Sequence, residues 1–175
     1  MKITVTLSSD GIGKLTGLLD GYEDKLRGAA NRLVAEIAEI GRSDAAEQFN
    51  TAVYDGENDV VVEAPAEPKK GKTALRARGT SILFIEFGSG VHYSDPSQTH
   101  PLADEFGYER GGYGRHLGLN DTWRYRGSRG TNGVILKNGM ILTHGNPANR
   151  CMYNAAVKMR DSIAPAAERI FGEVL

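Results

Sequence analysis

Between Leu15 and Ile40 an apolar residue returns every three or four positions: Leu15, Leu18, Leu19, Tyr22, Leu26, Ala29, Leu33, Ile37 and Ile40. At 3.6 residues per turn these fall on one stripe, so the segment predicts an amphipathic α-helix that lies against other parts of the chain. Ser8, Ser9 or Asp10 supplies a cap for its start. Gly17, Gly21 and Gly28 interrupt it at a cost of about 1 kcal/mol each relative to alanine, so packing rather than propensity must hold the first half. Continued through Phe49 the helix reaches about 50 Å. That is too long for a compact domain of this size, which predicts a bend near Gly41 or a protruding end.

The flanking segments read as short strands. Ile3, Val5 and Leu7 alternate with Lys2, Thr4 and Thr6 in the period of a half-buried strand. Val60 to Val62 form a second, stopped by Ala64-Pro65, and Thr73 to Ala77 lead into a third after a polar loop. The run Ile82-Leu83-Phe84-Ile85-Glu86-Phe87, closed by Gly88-Ser89-Gly90, predicts a buried central strand. The connections within 59–90 are too short for crossover helices, so these strands are expected to be antiparallel. Glu86, alone in an apolar run, must then face solvent or meet a cation such as Arg76 or Arg78.

From Val91 to Thr143 periodicity fades, and most of the excess among 22 glycines collects between Gly88 and Gly145. A loop of this length inside a domain is normally functional. Two short elements interrupt it: an alternating stretch at 122–126, and a hairpin of 134–136 with 140–142 about the Asn138-Gly139 turn. Asn146-Pro147 reads as the start of a second helix. Its apolar face carries Cys151, Met152, Ala155, Met159, Ile163 and Ile170, with a kink or restart at Pro165. The sum is an α+β fold: a long N-terminal helix and a C-terminal helix packed on an antiparallel sheet of about four or five strands. We expect a single domain over 1–175, with 91–143 as an extended loop within it. The expected core joins Leu26, Leu33, Ile37, Val61, Leu83, Ile85, Met152 and Met159.

Several function classes are disfavoured. One cysteine among 175 residues excludes an internal disulfide or a cysteine-rich zinc site. No apolar stretch approaches the roughly 20 residues needed to cross a bilayer, and the N-terminus lacks a signal-peptide pattern, so a soluble, non-exported protein is expected. His92, His100, His116 and His144, with Asp95 and Asp104, have no spacing that places two imidazoles on one helix face, and read as surface residues rather than metal ligands. Cys151 reads as a core residue rather than a nucleophile. Gly111 to Gly114 and Gly127 to Gly130 lack the strand, helix and lysine of a phosphate cradle. No cofactor and no catalysis are expected. Net charge is −1 overall, but residues 1–64 carry −6, 65–129 carry +3 and 130–175 carry +2, an asymmetry suited to contacts between copies.

Arg110, Arg115, Arg124, Arg126 and Arg129 interleave with Tyr113, Trp123 and Tyr125. This composition serves a nucleic-acid contact or a protein interface, where aromatics are enriched and arginine forks onto carboxylates. The acidic first third of another copy is the more economical partner, and a nucleic-acid-binding or processing module is the alternative.

The strand end Phe84-Ile85-Glu86-Phe87-Gly88-Ser89-Gly90, the loop residues Trp123-Arg124-Tyr125, and Thr143-His144-Gly145-Asn146-Pro147-Ala148-Asn149-Arg150 leading into Met152-Tyr153-Asn154-Ala155 carry a resemblance. Together they resemble the tail-component (tail completion or neck) protein family of long-tailed bacteriophages, with its (V/I)EFGTG strand end and its G-x-P-A-x-P-F-(M/L) approach to the last helix. Here Asn149-Arg150-Cys151 replaces the second proline and aromatic. The resemblance implies a non-enzymatic virion protein of the tail or head–tail neck, assembled in the bacterial cytoplasm as a homo-oligomeric ring that docks on other tail or neck proteins. Glu86, Tyr113, Arg115, Trp123, Arg124, Tyr125, Arg126 and Arg129 are the expected interface residues.

Overall fold

The computed structural model of the chain describes residues 4, 8–65, 68, 71–88, 99–108, 122–130 and 133–174. Helix α1 (Ser9–Asn50) runs unbroken for 42 residues, about 63 Å at the standard rise. Ser8 is its cap, on extended backbone, with its hydroxyl oxygen accepting from Gly11 N–H at 3.1 Å. There is no break at Gly41. Helix α4 (Cys151–Gly172) instead packs tightly against α1 there, where a Cβ would run into the Met159 sulfur. The two helices are antiparallel: Asn154 donates to Gln48 at 2.8 Å, and Lys158–Asp44, Arg169–Glu36 and Arg32–Glu173 pairs follow in order. Since the last of these lies at Arg32, the first twenty residues of α1 run past the end of α4, the protruding alternative.

The strands form two small antiparallel sheets rather than one. β1 (Val61–Glu63) pairs with β2 (Arg76–Arg78), Val62 opposite Ala77. The pleat turns Val62 inward and leaves Val61 57% exposed, so the core valine is one residue later than expected. β3 (Trp123–Tyr125), β4 (Val134–Ile135) and β5 (Ile141–Thr143) form a second sheet in the order β3-β5-β4. Its hairpin closes as expected at Asn138-Gly139, where Gly139 has φ 75° and donates to Leu136 O at 2.9 Å. A one-turn helix α3 (Ala103–Phe106) lies within the long loop. Apart from Thr4, the expected strand at Ile3–Leu7 falls outside the described residues.

The run Ile82–Phe87 is helix α2, not a strand. Local β-propensity is overridden by contacts from elsewhere. The Asp59 carboxylate accepts from the N–H and hydroxyl of both Thr80 and Ser81, supplying the acceptors that the start of a helix lacks. Ile85 is fully buried, while Leu83 is 48% exposed on the opposite side of the turn. Ile85 joins Ala45, Phe49, Val62, Cys151 and Ala155 in the core. Ile37 is buried as expected; Leu26, Leu33, Met152 and Met159 are half-buried. Phe49, buried at the crossing, anchors this cluster; its truncation to alanine would cost about 3–5 kcal/mol.

Helix α4 departs from expectation at both ends. It starts at Cys151, not at Asn146-Pro147, and its cap residue Arg150 sits at φ 58° with no side-chain cap of its own. It also continues through Pro165 to Gly172 as one element. A proline inside a helix costs about 3 kcal/mol, and here the following turns are held against the rest of the chain by buried Ala166 and Ile170 and by the Arg169–Glu36 pair.

Candidate interaction surface

Glu86 is where sequence and structure differ most. It is buried, 5% exposed, and meets neither Arg76 nor Arg78; Arg78 pairs with Glu63 across β1 and β2 at 3.3 Å. The Glu86 carboxylate turns to the start of α4, accepting from Met152 N–H at 2.8 Å and Tyr153 N–H at 2.9 Å. These are N–H groups of the first turn, which have no partner inside the helix. A negative group there also meets the positive end of the helix dipole. Glu86 therefore performs from 66 residues away the cap that Arg150 cannot provide. The backbones join at the same place, Asn149 N–H donating to Ile85 O at 3.0 Å and Arg150 N–H to Glu86 O at 3.1 Å. Gly88, at φ 82°, completes the seat: a Cβ there would lie 2.8 Å from Ala148 N and 2.9 Å from Asn146 O.

His100, expected at the surface, is the third partner of Glu86. It is 5% exposed, with Nε2 at 3.1 Å from Glu86 Oε1. Leu102 N–H donates to His100 Nδ1 at 3.0 Å, which leaves the Nε2 proton for the carboxylate. Phe87 packs on the imidazole with centroids 4.3 Å apart and stacks on Tyr108 at 4.4 Å, while Tyr153 meets His100 edge-on. The arrangement is a satisfied polar pair in an aromatic shell. Burial, then the nearby Glu86 charge, push the Cys151 thiol up to about 12, so the nucleophilic thiolate is not formed at neutral pH. Among the described residues no group of three or more His, Cys, Asp or Glu is placed to hold a metal ion, and no helix is long and apolar enough to cross a membrane.

Of the expected interface residues on β3, Arg124 and Tyr125 divide by face. Trp123 is opposite Thr143, Arg124 opposite Leu142, and Tyr125 opposite Ile141. Ile141 and Thr143 are buried, so their row faces the body of the protein, while Arg124 stands on the outer face. Tyr125 reaches inward: its hydroxyl donates to the Asp55 carbonyl, and the Thr143 hydroxyl donates to the Asp55 carboxylate. Two strands are thus tied to one buried acidic residue in the turn after α1. Burial, and behind it the Asp55 charge, push the Tyr125 hydroxyl up, keeping it a donor.

Arg124, Arg126 and Arg129 are exposed, and among the described residues no ion pair engages them. In the same sheet the edge strand β4 exposes Val134 and Ile135, at 57% and 62%. The small anchored sheet and its flank therefore expose cations together with apolar side chains. Tyr113 and Arg115 lie outside the described residues. The sequence reading missed His100 and the anchoring role of Asp55; Asp55-Gly56 carried a turn signal and nothing more. Comparison of the chain with protein-family models, with curated proteins and with solved structures found no match.

Proposed function

We propose that this chain is a structural subunit of the tail or head–tail neck of a long-tailed bacteriophage, acting without catalysis through ring-forming contacts between copies and docking on neighbouring tail or neck proteins. The observation that carries the reading is the β3-β5-β4 sheet and its flank, where exposed Arg124, Arg126 and Arg129 engage in no ion pair among the described residues and the edge strand β4 exposes Val134 and Ile135. The acidic N-terminal third offers the complementary charge on the next copy. The sequence resemblance supplies the biological setting, a virion protein assembled in the host cytoplasm.

The test is charge reversal at Arg124 and Arg126. In mass photometry the unmodified protein should form a closed ring of defined mass, alone or with tail partners, and Arg124→Glu with Arg126→Glu should shift it toward smaller species. The thermal midpoint should move by less than about 2 °C, as exposed substitutions generally stay within about 0.5 kcal/mol. A collapse of the midpoint would make the two arginines structural. Tight DNA binding that falls steeply with salt and disappears in the double variant would favour the nucleic-acid module instead.

A further inference from the structure

We infer that the protruding half of α1 is a second contact, in which two copies lay their α1 helices side by side in antiparallel. α4 covers α1 from Phe49 back to about Arg32 and ends there. The apolar stripe does not end with it. Ile12, Leu18, Leu19 and Tyr22 are 54%, 50%, 55% and 37% exposed, and Leu15 is half-buried beside them.

The spacing names the kind of partner. Ile12, Leu19 and Leu26 repeat every seven residues, as do Leu15, Tyr22 and Ala29, which is the two-position seam of helices packed knobs-into-holes. Charges keep off the seam: Lys14 pairs with Asp10 and Arg27 with Glu23 along the helix itself. The segment 9–28 has net charge −1, which gives an anionic membrane surface no attraction.

Length and register select a second α1 as that helix. An antiparallel copy continues the line already taken by α4. With Ile12 opposite the partner's Tyr22 and Leu15 opposite the partner's Leu19, the four inner seam layers are apolar, and at each end Leu26 meets the partner's cap residue Ser8. Leu18, at the flank, then meets the partner's Leu18 beside the two-fold axis. The overlap covers residues 8–26 on each helix, about 27 Å, and stops short of Ala29, which is already buried. A strip about 27 Å long and about 10 Å wide buries on the order of 500 Å² per copy, at the low end of specific interfaces. A two-fold contact cannot close a cyclic ring, so this pairing is separate from the sheet contact of the proposed ring.

The test uses full-length single-cysteine variants on the exposed seam, with native Cys151 left in place because it is buried. Under mild copper–phenanthroline oxidation, Leu18→Cys should give covalent dimer on non-reducing gels. Ile12→Cys or Tyr22→Cys alone should give little, and their equimolar mixture should give dimer at least five-fold above either alone. Unchanged circular dichroism establishes that each variant folds. Efficient self-linking of both Ile12→Cys and Tyr22→Cys would mean parallel pairing and overturn the proposal. No link in any variant, with Leu19→Glu sedimenting like the unmodified protein, would overturn it and hand the seam to another occupant. Arg124→Glu with Arg126→Glu added to Leu18→Cys separates the two contacts, since loss of the ring reading leaves the Leu18 link intact.

Discussion

Replacing Glu86 with glutamine keeps the shape of the side chain and removes one acceptor. Placing the amide oxygen at the Oε1 position preserves the bonds to Tyr153 N–H and His100. The NH2 group then faces Met152 N–H, donor against donor. An unpaired buried N–H costs about 1–3 kcal/mol, and losing the negative charge at the start of α4 adds about 0.5–1 kcal/mol. The expected total is about 1.5–4 kcal/mol. For a chain of this length each kcal/mol moves the midpoint by about 2–4 °C, so Glu86→Gln should melt about 3–16 °C lower and unfold at lower urea with an unchanged m-value. Circular dichroism at 222 nm and urea titration read both quantities, with mass photometry of the folded variant alongside. A midpoint within about 1 °C of the parent, combined with weakened assembly, would refute the capping role and return Glu86 to the interface where its sequence context placed it.

Two further predictions concern titratable groups. The Asp59 carboxyl lies well below its ordinary 3.8, first through the Ser81 hydroxyl and then through the groups of Thr80 and the Ser81 N–H. The folded value is thus below the unfolded one, so its contribution is fully present above about pH 4 and is lost as pH falls below that; Asp59→Asn should flatten the acid limb of midpoint against pH, and an identical limb would show that other carboxylates govern it. Cys151, pushed up to about 12 and fully buried, should resist Ellman's reagent at pH 8 in the native protein and react within minutes in urea. Fast native labelling would show that the Glu86–Cys151 junction opens readily.

What was legible in the sequence was what depends on near neighbours. The three-to-four spacing from Leu15 to Ile40 is a property of α1 alone, and so is the Asn138-Gly139 turn, whose φ requirement is met inside the hairpin. Ile82 to Phe87 defeated the same reasoning because its conformation is decided by Asp59, more than twenty residues earlier. Pro165 failed likewise: the cost of a helical proline is local, but the contacts of Ala166, Ile170 and Arg169 that offset it are not. At the candidate surface, Arg124 and Arg126 were readable as exposed cations from composition. The inward turn of Tyr125 needed the partner Asp55, which no local pattern announces.

The two stretches that most define this sequence, Ile85-Glu86-Phe87-Gly88 and Asn146-Pro147-Ala148-Asn149-Arg150, turn out to be the two halves of one joint. Glu86 caps α4, Ile85 and Glu86 carbonyls accept from Asn149 and Arg150, and Gly88 leaves room for the 146–148 backbone. Asn149 also clamps the end of α1, accepting from Val53 N–H at 2.8 Å and donating to Val53 O at 3.0 Å. Each of these groups is committed to the joint by at least one bond or close contact, so a substitution there is felt as instability before it is felt as altered docking. The exposed cations on the sheet and the α1 seam carry no such obligation and are free to match a partner. In a protein built this way, the two stretches serve the joint that holds the helices together, and under the proposed function partner choice falls to the side chains that the joint leaves alone.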